Sequence, residues 1–283
     1  MSMITPLEPA LPRGRRGTVQ QAVQAVSFGR IAAAVASSRG STHPVNEDAH
    51  SALGRRGRIF VVADGVGGGA MASMASRELV AQLHATLDGQ HVDPASVRDA
   101  VLVADRVIAD GIAELTDSPG AATMALCAPV NAFASRWLVA WVGDCRVYRI
   151  AAAPSPTLQA LTQDDSFAHL KETPPPGSAP EDPARMVGNG AVVLPNVVFT
   201  ELRRGELLLM CSDGVHKHVE PDRLARLPDG MPALIQHCED LIALARAGGS
   251  IDDATVLLLQ RTGLAMPRPR WMTGRADGDG GAR

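Results

Sequence analysis

Apolar residues fall along this chain in short bursts. Runs rich in β-branched and aromatic residues occupy 30–36 (RIAAAVA), 58–63 (RIFVVA), 123–128 (TMALCA), 136–142 (RWLVAWV), 145–150 (CRVYRI), 196–201 (NVVFTE), 206–211 (ELLLMC) and 254–260 (ATVLLLQ). Gly, Asp, Pro or Asn bound them, which is the pattern of strands. Between the second and third runs the period changes. Val97, Val101, Ala104, Ile108, Ile112 and Leu115 recur at helical spacing, predicting a helix over 94–116, with Asp93 as N-cap and Pro94 in its first turn. Further helices are expected at 72–87 and 231–246. VGDC at 142–145 reads as a hairpin turn between two strands. Strands, two consecutive helices and then mostly strands favour antiparallel sheets covered by helices over an alternating βαβ design.

The periodic region defines the expected domain, residues 28–261. Residues 1–27 mix Pro, Arg, Gly and Gln without sustained period and read as a loose leader. Residues 262–283 have the composition of a disordered tail. The segment 172–184, ETPPPGSAPEDPA, reads as a proline-rich surface insertion.

Composition narrows the function classes. With 283 residues, 46% of them apolar, the chain can bury a substantial core. A net charge of −3 gives no electrostatic case for nucleic acid or an anionic membrane. No apolar run approaches the roughly 20 residues of a membrane helix. Cys127, Cys145, Cys211 and Cys238 lack metal-binding spacing and suit a reducing cytoplasm. A monomer is expected.

The candidate chemistry lies where strands end. IFVVADGVGGGA at 59–70 contains a dinucleotide-like glycine pattern, but no second strand follows with a ribose-holding acid. What remains is Asp64 at a strand tip beside glycines that permit close backbone approach. Similar acids recur: Glu47 and Asp48 in VNEDAH, Asp144 in WVGDCR, Asp213 in LLLMCSDGV, and Asp252 and Asp253 in GGSIDDATV. Each Asp–Gly pair alone also makes an ordinary turn. Several carboxylates together, with no His or Cys at ligand spacing, point to hard divalent cations such as Mg²⁺ or Mn²⁺. Two such ions can activate a water for displacement at phosphorus.

In order, NEDA, VVADGVGG, AATM, WVGDCRVYR, LTQDDS, GELLLMCSDGV and DDATV are similar to the signature blocks of the type 2C metal-dependent protein Ser/Thr phosphatases, most of all their bacterial branch. The resemblance spans 28–261. It implies an α+β fold, a four-layer α–β–β–α sandwich in which two stacked, mostly antiparallel sheets are flanked by helix pairs. It also implies hydrolysis of phosphoserine and phosphothreonine in proteins by a metal-activated water at a binuclear Mn²⁺ or Mg²⁺ centre, with two ions per subunit. Phosphorylated Ser/Thr proteins, a cognate Ser/Thr kinase among them, are the implied partners.

Residue by residue, the resemblance implies Asp64 as the bridging ligand, with the Gly65 carbonyl on one ion and Asp213 and Asp252 on the other. Asp48 and Glu47 would hold metal-bound waters. The catalytic set is thus Asp48, Asp64, Asp213 and Asp252. Asp117 is the nearest match to an acid that holds a third ion, displaced by about one residue, and Asn46 and Asp144 match positions near the centre.

Four features depart from the family. His43 stands where an arginine grips the substrate phosphate, and Arg39 is the nearest substitute. That change motivates the alternative function, a pseudophosphatase binding a phosphoprotein or kinase without efficient turnover. His216 and His218 stand where Thr–Asp is commoner, as a solvated loop or a proton shuttle. Asp165 replaces a histidine. The 167–185 region takes the place of the family's mobile flap.

Overall fold

The computed structural model describes residues 17–54, 57–117, 120–151, 155–191, 193–227 and 231–264. Its strands are β1 (Thr18–Val26), β2 (Gly29–Ser38), β3 (Asp48–His50), β4 (Phe60–Val66), β5 (Ala121–Pro129), β6 (Arg136–Val142), β7 (Arg146–Ala151), β8 (Thr157–Ala160), β9 (Asn196–Glu201), β10 (Leu207–Cys211) and β11 (Ala254–Leu264). The helices are α1 (Ala70–Leu87), α2 (Pro94–Ala113), α6 (Met231–Ala247) and three single turns, α3 (Phe167–Leu170), α4 (Asp213–His216) and α5 (Pro221–Leu224).

Two sheets result, ordered β1-β2-β11-β10-β7-β8 and β3-β4-β5-β6-β9. All their pairings are antiparallel. Strand alternation explains the layering. In β4, Val61 and Ala63 face α1 and α2, meeting Leu79, Leu83, Val101 and Ile108. Phe60 and Val62 face inward and meet Trp137, Met210 and Leu257 between the sheets. In β10, Leu207 and Leu209 turn to the other outer layer, against Leu234 and Leu241 of α6. Both faces of these strands are covered, so they read as continuous apolar runs. The result is the expected α–β–β–α sandwich.

Details differ from the sequence reading. The second flank is one long helix with the short turns α4 and α5 rather than a pair of long helices. The expected leader contains β1, which pairs along its whole length with β2. Residues 1–16 of that leader, and 265–283 of the expected tail, lie outside the described residues; 262–264 continue β11. The expected α2 ends at Ala113, and Leu115 is exposed. Its N-terminus is as read: the Asp93 carboxylate accepts from Ser96 N at 2.8 Å, and Ser96 Oγ accepts from Asp93 N at 2.9 Å.

The largest correction concerns VGDC. β6 belongs to the five-stranded sheet and β7 to the six-stranded one, so this turn carries the chain between sheets and is not a hairpin. Gly143 takes φ 90°, a conformation that favours glycine. Its N–H donates to Asp165 Oδ2 at 3.0 Å. The crossing delivers Asp144 to the end of the sandwich.

Candidate metal centre

The acids gather at that end from both sheets. Asp48 and Asp64 are cross-strand partners on β3 and β4. Asp213 opens α4 directly after β10, and Asp252 lies just before β11. Gly65 fits because a Cβ there would stand 2.3 Å from the Ala72 carbonyl oxygen, so only glycine lets the first turn of α1 come this close.

Burial and mutual repulsion dominate the electrostatics. Burial pushes the Asp48 carboxyl up to about 8, with Asp253 and Asp213 adding to it against hydrogen bonds from Thr255 and Ser212. Asp64 is raised well above the carboxylate range by burial, then by Asp48, Asp213 and Asp144. Burial carries Asp144 to about 6, helped by Asp213 and opposed by Lys217. For Asp213 burial is outweighed: the Lys217 ammonium holds it below its usual value. Ionised together, these groups require a cation.

Among the described residues, two of these carboxylate oxygens lack partners. Asp48 Oδ2 accepts from Ser212 Oγ at 2.7 Å, but Oδ1 is buried with none. Asp213 Oδ2 accepts from Lys217 Nζ at 2.7 Å, while Oδ1 is likewise buried and orphaned. Buried acceptors without donors are costly. An all-oxygen donor set with orphaned carboxylate oxygens fits a hard divalent cation. Among the described residues, no three His, Cys, Asp or Glu side chains already close around one point. The acids lie within electrostatic reach of one another, and protein donors engage some of their oxygens. Closing the set around an ion therefore requires side-chain adjustment.

Other sequence candidates take different places. Glu47 is buried, and its Oε1 accepts from Gly69 N and lies 2.8 Å from His43 Nδ1. Its carboxylate pins the glycine loop to the first block. Asp253 is structural: its carboxylate accepts from Gly40 N at 2.6 Å and Glu47 N at 2.5 Å. Asp252 spends Oδ1 on Asp253 N at 2.8 Å and is exposed. The His43 ring lies over the loop, where a Cβ on Gly68 would stand 3.5 Å from Nε2. Arg39 folds back and donates to the His43 carbonyl. Asp117 is exposed on the turn after α2, with no bond to the cluster among the described residues. Asn46 Oδ1 accepts from Asp48 N at 3.0 Å and so orients the loop.

His218 is half-buried just past α4. His216 is buried, with Nε2 2.9 Å from the Asp144 carbonyl oxygen, and burial lowers it to about 4. It is neutral and neither solvated nor exposed. Ser51, His84 and Asp88 form a hydrogen-bonded row, 2.8 Å at each step. Ser51 is 1% exposed and its hydroxyl accepts from Val61 N, so this row ties α1 to β3 and β4 rather than forming a nucleophile.

Sequence reasoning missed Lys217, which bridges Asp213 and Asp144, and noted Asp165 without its task, which is to fix the turn carrying Asp144. Lys217 had a signal of its own, its i,i+4 spacing from Asp213.

The sandwich and the acids at its end define a class, the type 2C metal-dependent protein phosphatase fold. No family model matches the chain. It is 29% identical over 235 residues to the serine/threonine protein phosphatase PstP of Mycobacterium tuberculosis. That alignment covers 80% of this chain and 44% of PstP, so the chain spans less than half the length of this relative. The crystal structure of Mycobacterium tuberculosis PstP/Ppp matches with a TM-score of 0.68 at 25% identity, covering 82% of this chain and 99% of that one. The PstP catalytic domain in complex with two manganese ions matches with a TM-score of 0.67 at 25% identity, covering 82% and 98%. Staphylococcus aureus Stp1, at 19% identity, shares the fold with a TM-score of 0.67 over 91% of this chain. The chain is thus similar in sequence and in fold to bacterial Ser/Thr protein phosphatases.

Proposed function

We propose that the chain hydrolyses phosphoserine and phosphothreonine in proteins at a centre of two divalent cations, Mn²⁺ or Mg²⁺. The orphaned, buried Oδ1 atoms of Asp48 and Asp213 carry this reading. On it, Asp64, Gly65 through its carbonyl, Asp213 and Asp252 would hold the ions. Asp48 orders water beside them, and Glu47 supports the loop. When bound, the ions supply Lewis-acid activation of water and phosphoryl oxygen. The chain's own residues gather the charge and orient the phosphate. His43 contributes Nε2, since Nδ1 is on Glu47. The structure of a relative with two manganese ions supports the cofactor class, and four buried free cysteines agree with a reducing cytoplasm.

Turnover of p-nitrophenyl phosphate and of a phosphothreonine peptide, with and without Mn²⁺, tests this. Wild type should turn over both, only with metal. Asp64→Asn and Asp213→Asn should each lose more than the roughly 10–100-fold that follows loss of a residue merely orienting a ligand. Near-normal turnover by Asp213→Asn would refute the site. Metal binding without turnover would favour the pseudophosphatase, a reading His43 motivates.

A further inference from the structure

Lys217 is the cation that lies closest among these acids. It follows α4, four residues after Asp213, and its Nζ stands 2.7 Å from Asp213 Oδ2 and 3.3 Å from Asp144 Oδ2. Asp144 is buried and Asp213 half-buried, with side-chain exposures of 4% and 18%, and the Lys217 stem reaches them from the surface, 36% exposed. Asp213 comes from the end of β10; Asp144 comes from the turn that leaves β6 for the other sheet. Without a counterion in the gap, a buried and a half-buried carboxylate would face each other unpaired.

We propose that Lys217 is a built-in monovalent cation of the centre. Its ammonium fills the position between Asp144 and Asp213, so that side of the cluster takes no divalent ion. Asp213 is shared, with Oδ2 on the lysine and Oδ1 toward a divalent cation. The proposal rests on the cluster being a metal centre. The stoichiometry of two ions would then be set by the chain as well as by ligand supply. A further dication on Asp213 Oδ2 would meet the ammonium at contact distance, where like charges repel. Asp117, the residue a third ion would call upon, is exposed and makes no bond to the cluster among the described residues. Lysine suits the task because its ammonium is a compact point charge.

Calorimetric titration of chelator-stripped protein with MnCl₂ tests the idea in wild type, Lys217→Met, Lys217→Arg and Asp64→Asn. Lys217→Met should bind one Mn²⁺ more per chain than wild type, whereas Lys217→Arg should keep the wild-type count. Metal-free Lys217→Met should melt below wild type, and Mn²⁺ should raise its melting temperature by more than it raises that of wild type. Equal stoichiometry and affinity in wild type and Lys217→Met would overturn the proposal. If Lys217→Met does not fold without metal, circular dichroism should show Mn²⁺ restoring it. Failure of Mn²⁺ to do so, with Lys217→Arg folded, would reduce Lys217 to a structural residue and overturn the proposal. A wild type that binds no Mn²⁺ refutes the metal centre itself, and binding that Asp64→Asn abolishes establishes that centre independently of Lys217.

Discussion

His43 meets the glycine loop with one ring nitrogen already engaged by Glu47. A single remaining nitrogen makes a point contact, whereas an arginine fork makes two parallel ones. His43→Arg should therefore lower KM for a phosphothreonine peptide about tenfold or more, given roughly 1.5–3 kcal/mol for a charged hydrogen bond. It should leave kcat for p-nitrophenyl phosphate nearly unchanged. Steady-state kinetics of both forms decides it; an unchanged KM would show that residue 43 does not touch the phosphate. At this scale the sequence identified the acids better than their tasks. Asp64 and Asp213 were legible because an acid and a glycine follow an apolar run. Asp252 and Asp253 are adjacent carboxylates, and only the fold reveals that Asp253 spends both oxygens on Gly40 and Glu47. The role of Lys217 depends on Asp144, seventy-odd residues away in sequence, so spacing to Asp213 shows half of it.

Among the elements, the long apolar strands and helices were legible, and β1 was not. Its valines Val19 and Val23 are exposed, while the half-buried positions are Gln20, Ala22 and Gln24. The Gln20 amide oxygen accepts from Leu53 N, and Gln24 Nε2 donates to the Gly57 carbonyl. An edge strand held by amides rather than by an apolar face defeats a pattern based on hydrophobicity. The proline-rich segment is tied back by Phe167 N to Asp182 O, Ala168 N to Pro180 O and the Arg185–Glu172 ion pair. It borders a cavity of about 470 Å³ lined by Arg146, Gln163, Asp164, His169 and Glu181. On the proposed function, with this segment as a substrate rim, removing 172–184 should reduce phosphopeptide turnover far more than p-nitrophenyl phosphate turnover. Equal losses would make the segment purely structural. On α6, His237 is buried with Nε2 unpartnered among the described residues, and burial, with Arg226, lowers its pKa. A base held below its unfolded value near 6.5 contributes stability above that value and loses it as pH falls through the folded pKa. His237→Leu should therefore narrow the gap in melting temperature between about pH 7.5 and about pH 5. An unaltered gap would place the acid sensitivity elsewhere.

For the whole molecule, the sandwich was legible from element order, but which strands share a sheet was not. The turn at 142–145 is short enough for a hairpin, and only packing of both strand faces decides that β7 leaves for the second sheet. Because Asp48 and Asp64 belong to one sheet and Asp213 and Asp252 adjoin the other, bound cations would cross-link the layers. Mn²⁺ at about 100 times its Kd should add about 2.7 kcal/mol, or roughly 5–10 °C in melting temperature for a domain of this size. Differential scanning calorimetry of chelated and Mn²⁺-loaded protein checks this, and no shift would mean that the ions do not bridge the sheets. The sheet order has a consequence for synthesis. Among the described strands β11 is made last, yet β2 and β10 hold it between them. Until the ribosome has released residue 264, both neighbours present open edges, and Asp252 reaches its place only with that strand. On the proposed function, a half-made chain is therefore silent: no phosphate is removed from any protein near the ribosome before the domain has closed.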